Sequence, residues 1–293
     1  MEIKNTKIGF IGLGVMGKSM AENLRKSGAE MHVFTRTKTS ADEIVSKGAV
    51  WHDSPADVAK NSDVVFTIVG YPADVEQVYL GENGLIKNSK KGTILVDMTT
   101  SSPSLAVELY KTAKEQEVQV LDAPVSGGDI GAQNATLTIM CGGEQETFDA
   151  VLPFFECMGK TFTLMGEAGA GQHTKAANQI LVAANLIGAI EAIRYAESSD
   201  LDPQKMIEAL SGGAAASWQL SNNGKKVIDR DFAPGFFVKH FLKDLNIALK
   251  AAEEVDLNLP MLELAQSCFH AMCDKGFSDA GTQALYEYYK RYL

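Results

Sequence analysis

Cysteine is scarce in this chain: Cys141, Cys157, Cys268 and Cys273 are the four among 293 residues. None belongs to a Cys-x-x-Cys pair and no histidine stands at zinc-finger spacing from them. That excludes a zinc module written in cysteines and predicts free, partly buried thiols in a reducing compartment. An excess of positive charge is also missing, since 27 Lys and Arg face 37 Asp and Glu for a formal net charge of -10. Nucleic acid and anionic membranes both select a basic surface, so neither is an expected partner, while a local cationic pocket stays compatible. The opening MEIKNTKIGFIGLGVMG runs straight into a strand and a glycine turn, without the apolar segment and cleavage site of a secretory signal. The longest apolar stretch, residues 180–193, is broken by Asn185 and Glu191 and reads as too short to span a bilayer. Low-complexity tracts and repeats of roughly 20–50 residues are absent as well. The expected compartment is the cytoplasm.

Hydrophobic residues make up 45% of the chain and charged residues 22%, which is the profile of an ordinary globular protein. The first part alternates short β-like runs with amphipathic helical runs. Residues 7–12 (KIGFIG), 31–35 (MHVFT), 63–69 (DVVFTIV), 93–97 (TILVD) and 118–122 (VQVLD) read as strands, with helices at 16–27 and 103–116. Such alternation predicts an α/β fold, a Rossmann-type doubly wound parallel sheet. Runs at 137–141 and 161–165 extend it. After the glycine-rich GEAGAGQ the pattern changes: residues 172–199 read as one long helix, and everything beyond is helical between turns at Asp202-Pro203, Ser211-Gly212-Gly213, Ala233-Pro234-Gly235 and Leu259-Pro260. The expected organisation is a nucleotide-binding domain at 1–165 and an all-helical domain at 166–293, joined by the long helix.

Gly12, Leu13, Gly14, Val15, Met16 and Gly17 follow a hydrophobic strand and open a helix. Gly12 allows the tight turn, Gly14 leaves room for a pyrophosphate at the helix N-terminus, and Gly17 lets helix and strand pack closely. A Gly-x-Gly-x-x-Gly alone is weak, but here strand, turn, helix and second strand arrive in order. NAD enzymes place Asp or Glu at the end of strand two for the ribose 2′-hydroxyl. This chain has Arg36, Thr37 and Lys38 there. An acid would repel a 2′-phosphate, whereas Arg36 can form paired, charge-assisted hydrogen bonds with one, so NADP(H) is the preferred cofactor and NAD(H) a possible one. The alternative is a solvated basic loop.

Lys175, Asn178 and Asn185 stand at i, i+3 and i+10 on the long helix and are assigned to one face. A lysine on a mostly apolar helix is costly unless it serves a partner or a cavity, and burial there can lower its pKa toward neutrality, suiting proton donation. Taken alone, the pattern is equally that of a helix end exposing Lys175 to water. Ser126, Gly127 and Gly128 follow the strand ending at Asp122, and their freed N–H groups suit a substrate carboxylate; Thr99 and Thr100 also lie past a strand end. Either segment alone also reads as an ordinary turn. The histidines His32, His52, His173, His240 and His270 are scattered and read as structural or surface groups.

GLGVMG at the start, DAPVSGG at 122–128, GAGQHTKAANQ at 169–179 and FLKDL at 241–245 resemble the β-hydroxyacid dehydrogenase family, in order and across essentially the whole chain. Its members include 3-hydroxyisobutyrate dehydrogenase and the tartronate semialdehyde and glyoxylate/succinic semialdehyde reductases, and the KAANQ and APGF…KDL segments look most like the reductases. The resemblance implies an NAD(P)-dependent enzyme interconverting a small hydroxyacid and its aldehyde-acid. It implies Lys175 as general acid and base, Asn178, Ser126, Gly127, Gly128 and Thr100 in substrate binding, and Thr100 also beside the nicotinamide. Phe236, Lys243 and Asp244 match helical-domain positions that close over the site, Phe236 and Asp244 toward substrate and Lys243 toward cofactor. Gln179 departs from the family, where many members have a second Asn, and this bears on substrate choice. Asn134 and Ala135 before Thr136, where glycine is common, also depart. No metal is implied, and a homodimer or homotetramer is expected. The rivals are 3-hydroxyisobutyrate dehydrogenase itself, the decarboxylating 6-phosphogluconate dehydrogenase (longer, with His in place of Asn178), the imine reductases and non-catalytic cofactor-binding modules (both of which replace the lysine).

Overall fold

Strand β1 (Lys7–Ile11) buries every residue after its lysine. It is followed by β2 (Glu30–Phe34), β3 (Val50–Trp51), β4 (Val64–Thr67), β5 (Ile94–Asp97), β6 (Gln119–Asp122), β7 (Val125–Ser126), β8 (Leu137–Gly142) and β9 (Gly159–Gly166). In this computed structural model, which describes residues 1–293, the sheet order is β3-β2-β1-β4-β5-β6-β8-β7, with β9 added on β8. The first six strands are parallel. β8 runs antiparallel to β6 and β7 and parallel to β9.

The two-residue period of a strand sends alternate side chains to opposite faces. Ile8 and Phe10, Val64 and Phe66, and Ile94 and Val96 accordingly join one core with Leu13, Met20, Phe154 and Phe155. Ile11, Val65 and Leu95 join the other with Tyr79, Leu105 and Leu109. β4 and β5 are buried along their whole length, as central parallel strands covered on both faces must be. Each such side chain contributes about 1.5–3 kcal/mol on burial. Because β2 and β3 lie on one side of β1 and β4 on the other, the connections diverge beyond the carboxyl ends of β1 and β4. That is where open α/β sheets take ligands.

The chain divides into two compact units, Met1–Lys175 and Ala176–Leu293, and the division falls inside the long helix Ala170–Ser198. The second unit is helical, with Pro203–Leu210, Val238–Glu253, Pro260–Asp274 and Leu285–Tyr292 as its larger members beside the long helix. Two of these begin on the proline turns seen in the sequence: Pro203 and Pro260 occupy first-turn positions, where a missing N–H costs nothing. The Asp202 side chain caps the first by accepting from the N–H groups of Gln204 and Lys205. Its core gathers Ala183, Leu186, Ile190 and Ile193 with Phe241, Leu245, Phe269 and Tyr286. Phe241 and Phe269 meet edge to face with centroids 4.8 Å apart.

Several sequence expectations need correction. The helix around residues 180–193 is 29 residues long and apolar enough, by length and composition, to cross a bilayer. Shortness is therefore not what argues against a span, since alanines, glycines and polar residues continue the helix on both sides of the apolar stretch. Its Ala183, Leu186, Ile190 and Ile193 nonetheless pack into the second unit's core. Asn185 is exposed while Lys175 is buried, because ten residues advance a helix by almost three turns and leave the two about a quarter-turn apart. The short β3 and β7 were not legible, each holding only two residues. All four cysteines are unpaired, and burial pushes the Cys141 thiol far above the ordinary range.

Candidate active site

The turn after β1 is tight at two of its glycines and open at the third. Gly12 has φ 94°, and a Cβ there would stand 2.0 Å from the Ile68 carbonyl oxygen. Gly17 lies so close to the turn that a Cβ would meet the Gly12 carbonyl oxygen at 1.9 Å. At Gly14, which caps the helix Val15–Lys26, a Cβ would meet no atom within 4 Å. The backbone is therefore bare at the helix N-terminus and tight where strand and helix pack. Leu13 is a core side chain and so can serve a ligand only through its backbone, Met16 is half-buried against the same core, and Val15 is exposed.

Beyond β2, Arg36, Thr37 and Lys38 are all exposed. The Arg36 guanidinium stands 3.3 Å from Asp74 Oδ1, and Lys38 Nζ lies over the Trp51 ring at 5.3 Å from its centroid. No acidic side chain occupies the β2 end itself, so the donors there suit an anion.

Lys175 is only 6% exposed. Its Nζ donates to the Val125 carbonyl at 2.8 Å, and Val125 immediately precedes Ser126. The structure thus brings the candidate lysine to the candidate carboxylate turn, and the buried state wins over the solvated helix end. Gly127 (φ 131°) and Gly128 (φ 65°) are exposed at that turn, and Ser126 is half-buried. Thr100 lies between two groups held by one side chain: Gln172 Nε2 donates to Thr99 O at 2.8 Å and Gln172 Oε1 accepts from Ser101 N–H at 2.9 Å. Thr99 Oγ1 accepts from the Val69 N–H at 3.0 Å, tying the end of β4 to the same loop. Gln172, three residues before Lys175, and Asp122, which caps the long helix, lie inside the motifs singled out in the sequence but have no role assigned to them there. The signal available was a polar residue one turn ahead of a buried lysine, and an acid at a strand end.

The second unit carries its own polar network. Asn178 Nδ2 donates to Gln179 Oε1 at 2.7 Å, and Gln179 Nε2 donates to Asp244 Oδ2 at 2.7 Å. Asp244 is buried, and its Oδ1 forms a close ion pair with Lys243 Nζ at 3.0 Å, without an aligned hydrogen bond. Asn178 and Asp244 are thus bridged by Gln179, the residue that the sequence marked only as a departure, and Lys243 joins them through Asp244. Phe236 stands apart from this network, packed edge to face on Phe241 with centroids 5.7 Å apart.

Comparison with known proteins matches both parts of the chain. Residues 7–166 match the NAD binding domain of 6-phosphogluconate dehydrogenase, and residues 169–289 the NAD-binding region of NADP-dependent 3-hydroxyisobutyrate dehydrogenase. The chain is 48% identical over 280-odd residues to a probable 3-hydroxyisobutyrate dehydrogenase-like protein of Arabidopsis thaliana, covering 96% of this chain and 84% of that one. It is 43% identical to the 2-hydroxy-3-oxopropionate reductase of Escherichia coli, covering 95% of each. Among solved structures, a 3-hydroxyisobutyrate dehydrogenase of Mycobacterium tuberculosis with L-serine superposes with a TM-score of 0.89 at 29% identity, covering 97% of this chain and 99% of that one. A bare glycine turn in a 3-2-1-4-5-6 sheet, a buried lysine beside a glycine-rich strand end and relatives matched end to end have one common reading: the chain belongs to the β-hydroxyacid dehydrogenase family, NAD(P)-dependent oxidoreductases acting on the CH–OH group of hydroxyacids.

Proposed function

We propose that the chain is an NADP(H)-preferring reductase of a short aldehyde-acid such as glyoxylate, succinic semialdehyde or tartronate semialdehyde, with Lys175 as the general acid. In the reverse direction the same lysine is the base for the matching hydroxyacid. The observation that carries this reading is the burial of Lys175 with Nζ at 2.8 Å from Val125 O, one residue ahead of the Ser126 turn. When bound, the nicotinamide supplies or accepts the hydride. As the carbonyl is reduced, negative charge grows on its oxygen, and the Lys175 ammonium both stabilises that charge and gives up a proton. The Val125 carbonyl holds the ammonium in place meanwhile. Ser126 and the backbone of Gly127 and Gly128 take the substrate carboxylate, and Thr100 lies beside the reacting end.

Gly12, Leu13, Gly14, Val15, Met16 and Gly17 supply the pyrophosphate turn, and Arg36, Thr37 and Lys38 the 2′-phosphate contacts. Asn178, Phe236 and Asp244 are the second unit's substrate residues, and Lys243 its cofactor residue. The kinship with 2-hydroxy-3-oxopropionate reductase favours tartronate semialdehyde. The match of residues 169–289 favours 3-hydroxyisobutyrate dehydrogenase as the second reading. A non-catalytic cofactor-binding module is the weaker alternative, because a buried lysine held at a glycine-rich turn has no use in one. A cytoplasmic homodimer or homotetramer completes the reading.

The test is a panel of these aldehyde-acids and 3-hydroxyisobutyrate assayed with NADPH or NADP+ and with NADH or NAD+. The reading expects a short aldehyde-acid with NADPH to give the highest kcat/KM, and the amide or methyl ester of that acid to react with a much higher KM. Turnover of 3-hydroxyisobutyrate above all the aldehyde-acids would move the assignment to the second reading. A neutral analogue reacting as well as the acid would remove the carboxylate turn.

A further inference from the structure

Asp122 ends β6 and is 3% exposed. Its carboxylate reaches the opening of the long helix, where Oδ1 accepts from Gly169 N–H and Oδ2 from Gln172 N–H, each at 2.8 Å. A side chain at Gly171 would destroy this seat, because a Cβ there would stand 2.8 Å from Asp122 Oδ2 and 2.5 Å from the Met140 carbonyl oxygen. Helix N-termini favour a negative charge, and here the charge is fixed to a strand of the sheet.

Gln172 binds the same turn of helix to a different strand end, through Thr99 O and Ser101 N–H beyond β5. One turn further on, Lys175 Nζ reaches the Val125 carbonyl, three residues after Asp122 in the chain. Asp122, Gln172, Lys175 and Val125 therefore close a ring of contacts in which every link but the covalent ones is a hydrogen bond of 2.8 Å.

The charge is held at a cost. Burial raises the Asp122 carboxyl above its ordinary range, against the lowering effect of the backbone amides. A carboxyl that binds its proton more readily in the folded state stabilises the fold less as pH rises through that range. The group is thus a buried acid whose burial opposes its charge, set on the helix opening by its two hydrogen bonds.

We infer that Asp122 and Gln172 are a positioning pair for Lys175, locking the first turn of the long helix to two strand ends so that Nζ is delivered to the Ser126 turn. The inference rests on the reading of Lys175 as the proton donor. A group that works only through Lys175 has nothing left to lose once the lysine is gone, so a double-mutant cycle separates the two claims. Asp122→Asn and Gln172→Met are made alone and in a Lys175→Ala background, with kcat, both KM values and NADPH affinity measured on the preferred aldehyde-acid. Each single variant is expected to lose about 10- to 100-fold in kcat, the scale of an ångström's misplacement. In Asp122→Asn, NADPH affinity is expected to stay within about twofold, and that change on top of Lys175→Ala should cost less than about twofold more, whereas Gln172→Met, which also frees the loop of Thr100, is compared by its kcat coupling to Lys175. A merely structural role would instead lower cofactor affinity together with kcat and add fully to the Lys175→Ala loss. Additive losses, or an unchanged kcat in folded single variants, would overturn the positioning role and leave the role of Lys175 standing. A Lys175→Ala enzyme at the wild-type rate would overturn both. If Asp122→Asn does not fold, the Gln172→Met cycle decides by its kcat coupling to Lys175→Ala: a kcat loss that vanishes in the Lys175→Ala background supports the pair, and a fully additive one overturns it.

Discussion

Arg36 extends from the end of β2 with 88% of its side chain exposed, touching Asp74 at 3.3 Å. An ion pair so open to water is worth about 0–1 kcal/mol. A charge-assisted bond to a 2′-phosphate is worth about 1.5–3 kcal/mol, so the guanidinium gains by turning from one to the other. Arg36→Ala is therefore expected to raise KM for NADPH roughly 10- to 100-fold and to leave KM for NADH nearly unchanged. Steady-state kinetics with both cofactors checks this, and equal effects would remove Arg36 as the selecting residue. At this scale the sequence was legible where a residue contradicts its surroundings. Lys175 on an apolar helix did so, and its burial against Val125 is observed. Asp122 and Gln172 were not legible, because a carboxylate at a strand end and an amide in a first turn are ordinary until their partners are placed 50 and 71 residues away.

Between elements, the edge of the sheet holds a pair of histidines that no spacing in the sequence suggested. His32 on β2 and His52 just beyond β3 meet with Nδ1 and Nε2 2.9 Å apart, while His32 Nε2 lies 3.1 Å from Glu30, itself paired with Lys7. Burial first, and the neighbouring His32 second, lower the His52 pKa, against the pull of Asp57 and Asp53. A histidine whose folded pKa is depressed lends stability that is present above its unfolded pKa and lost as pH falls through its folded one. Thermal melts between about pH 7 and about pH 5 should show stability falling on acidification, and falling less steeply in His52→Gln. Identical slopes would mean that the contact between the histidines carries no linkage. The elements themselves were read well where they were long and periodic, as with β1 and the long helix. They were missed where two residues, Val50–Trp51 or Val125–Ser126, take extended form only because a neighbouring strand pairs with them.

For the molecule as a whole, the change from alternating strands and helices to continuous helix marked the change of architecture, since the two periods cannot be mistaken over such lengths. What a single chain's periodicity cannot hold is the use of surface left over. On the long helix Ala177, Leu181, Gly188 and Tyr195 are exposed along one stripe, Leu181 by 64% and Tyr195 by 71%. The spacing of four, seven and seven keeps them on one side, as in helices that pack against helices. Leu181→Glu with Tyr195→Glu is expected to lower the sedimenting mass of a self-associated wild type to that of one chain, and an unchanged mass would assign the association to another face. The claim on which the whole account turns is that Lys175 moves the proton, and one comparison tests it most directly. Lys175→Ala should bind NADPH nearly as the wild type does, because the glycine turn and Arg36 are untouched, and should reduce its aldehyde-acid about 10²–10⁴-fold more slowly, the usual worth of a positioned acid. A purified Lys175→Ala protein that binds NADPH and turns over near the wild-type rate would contradict it.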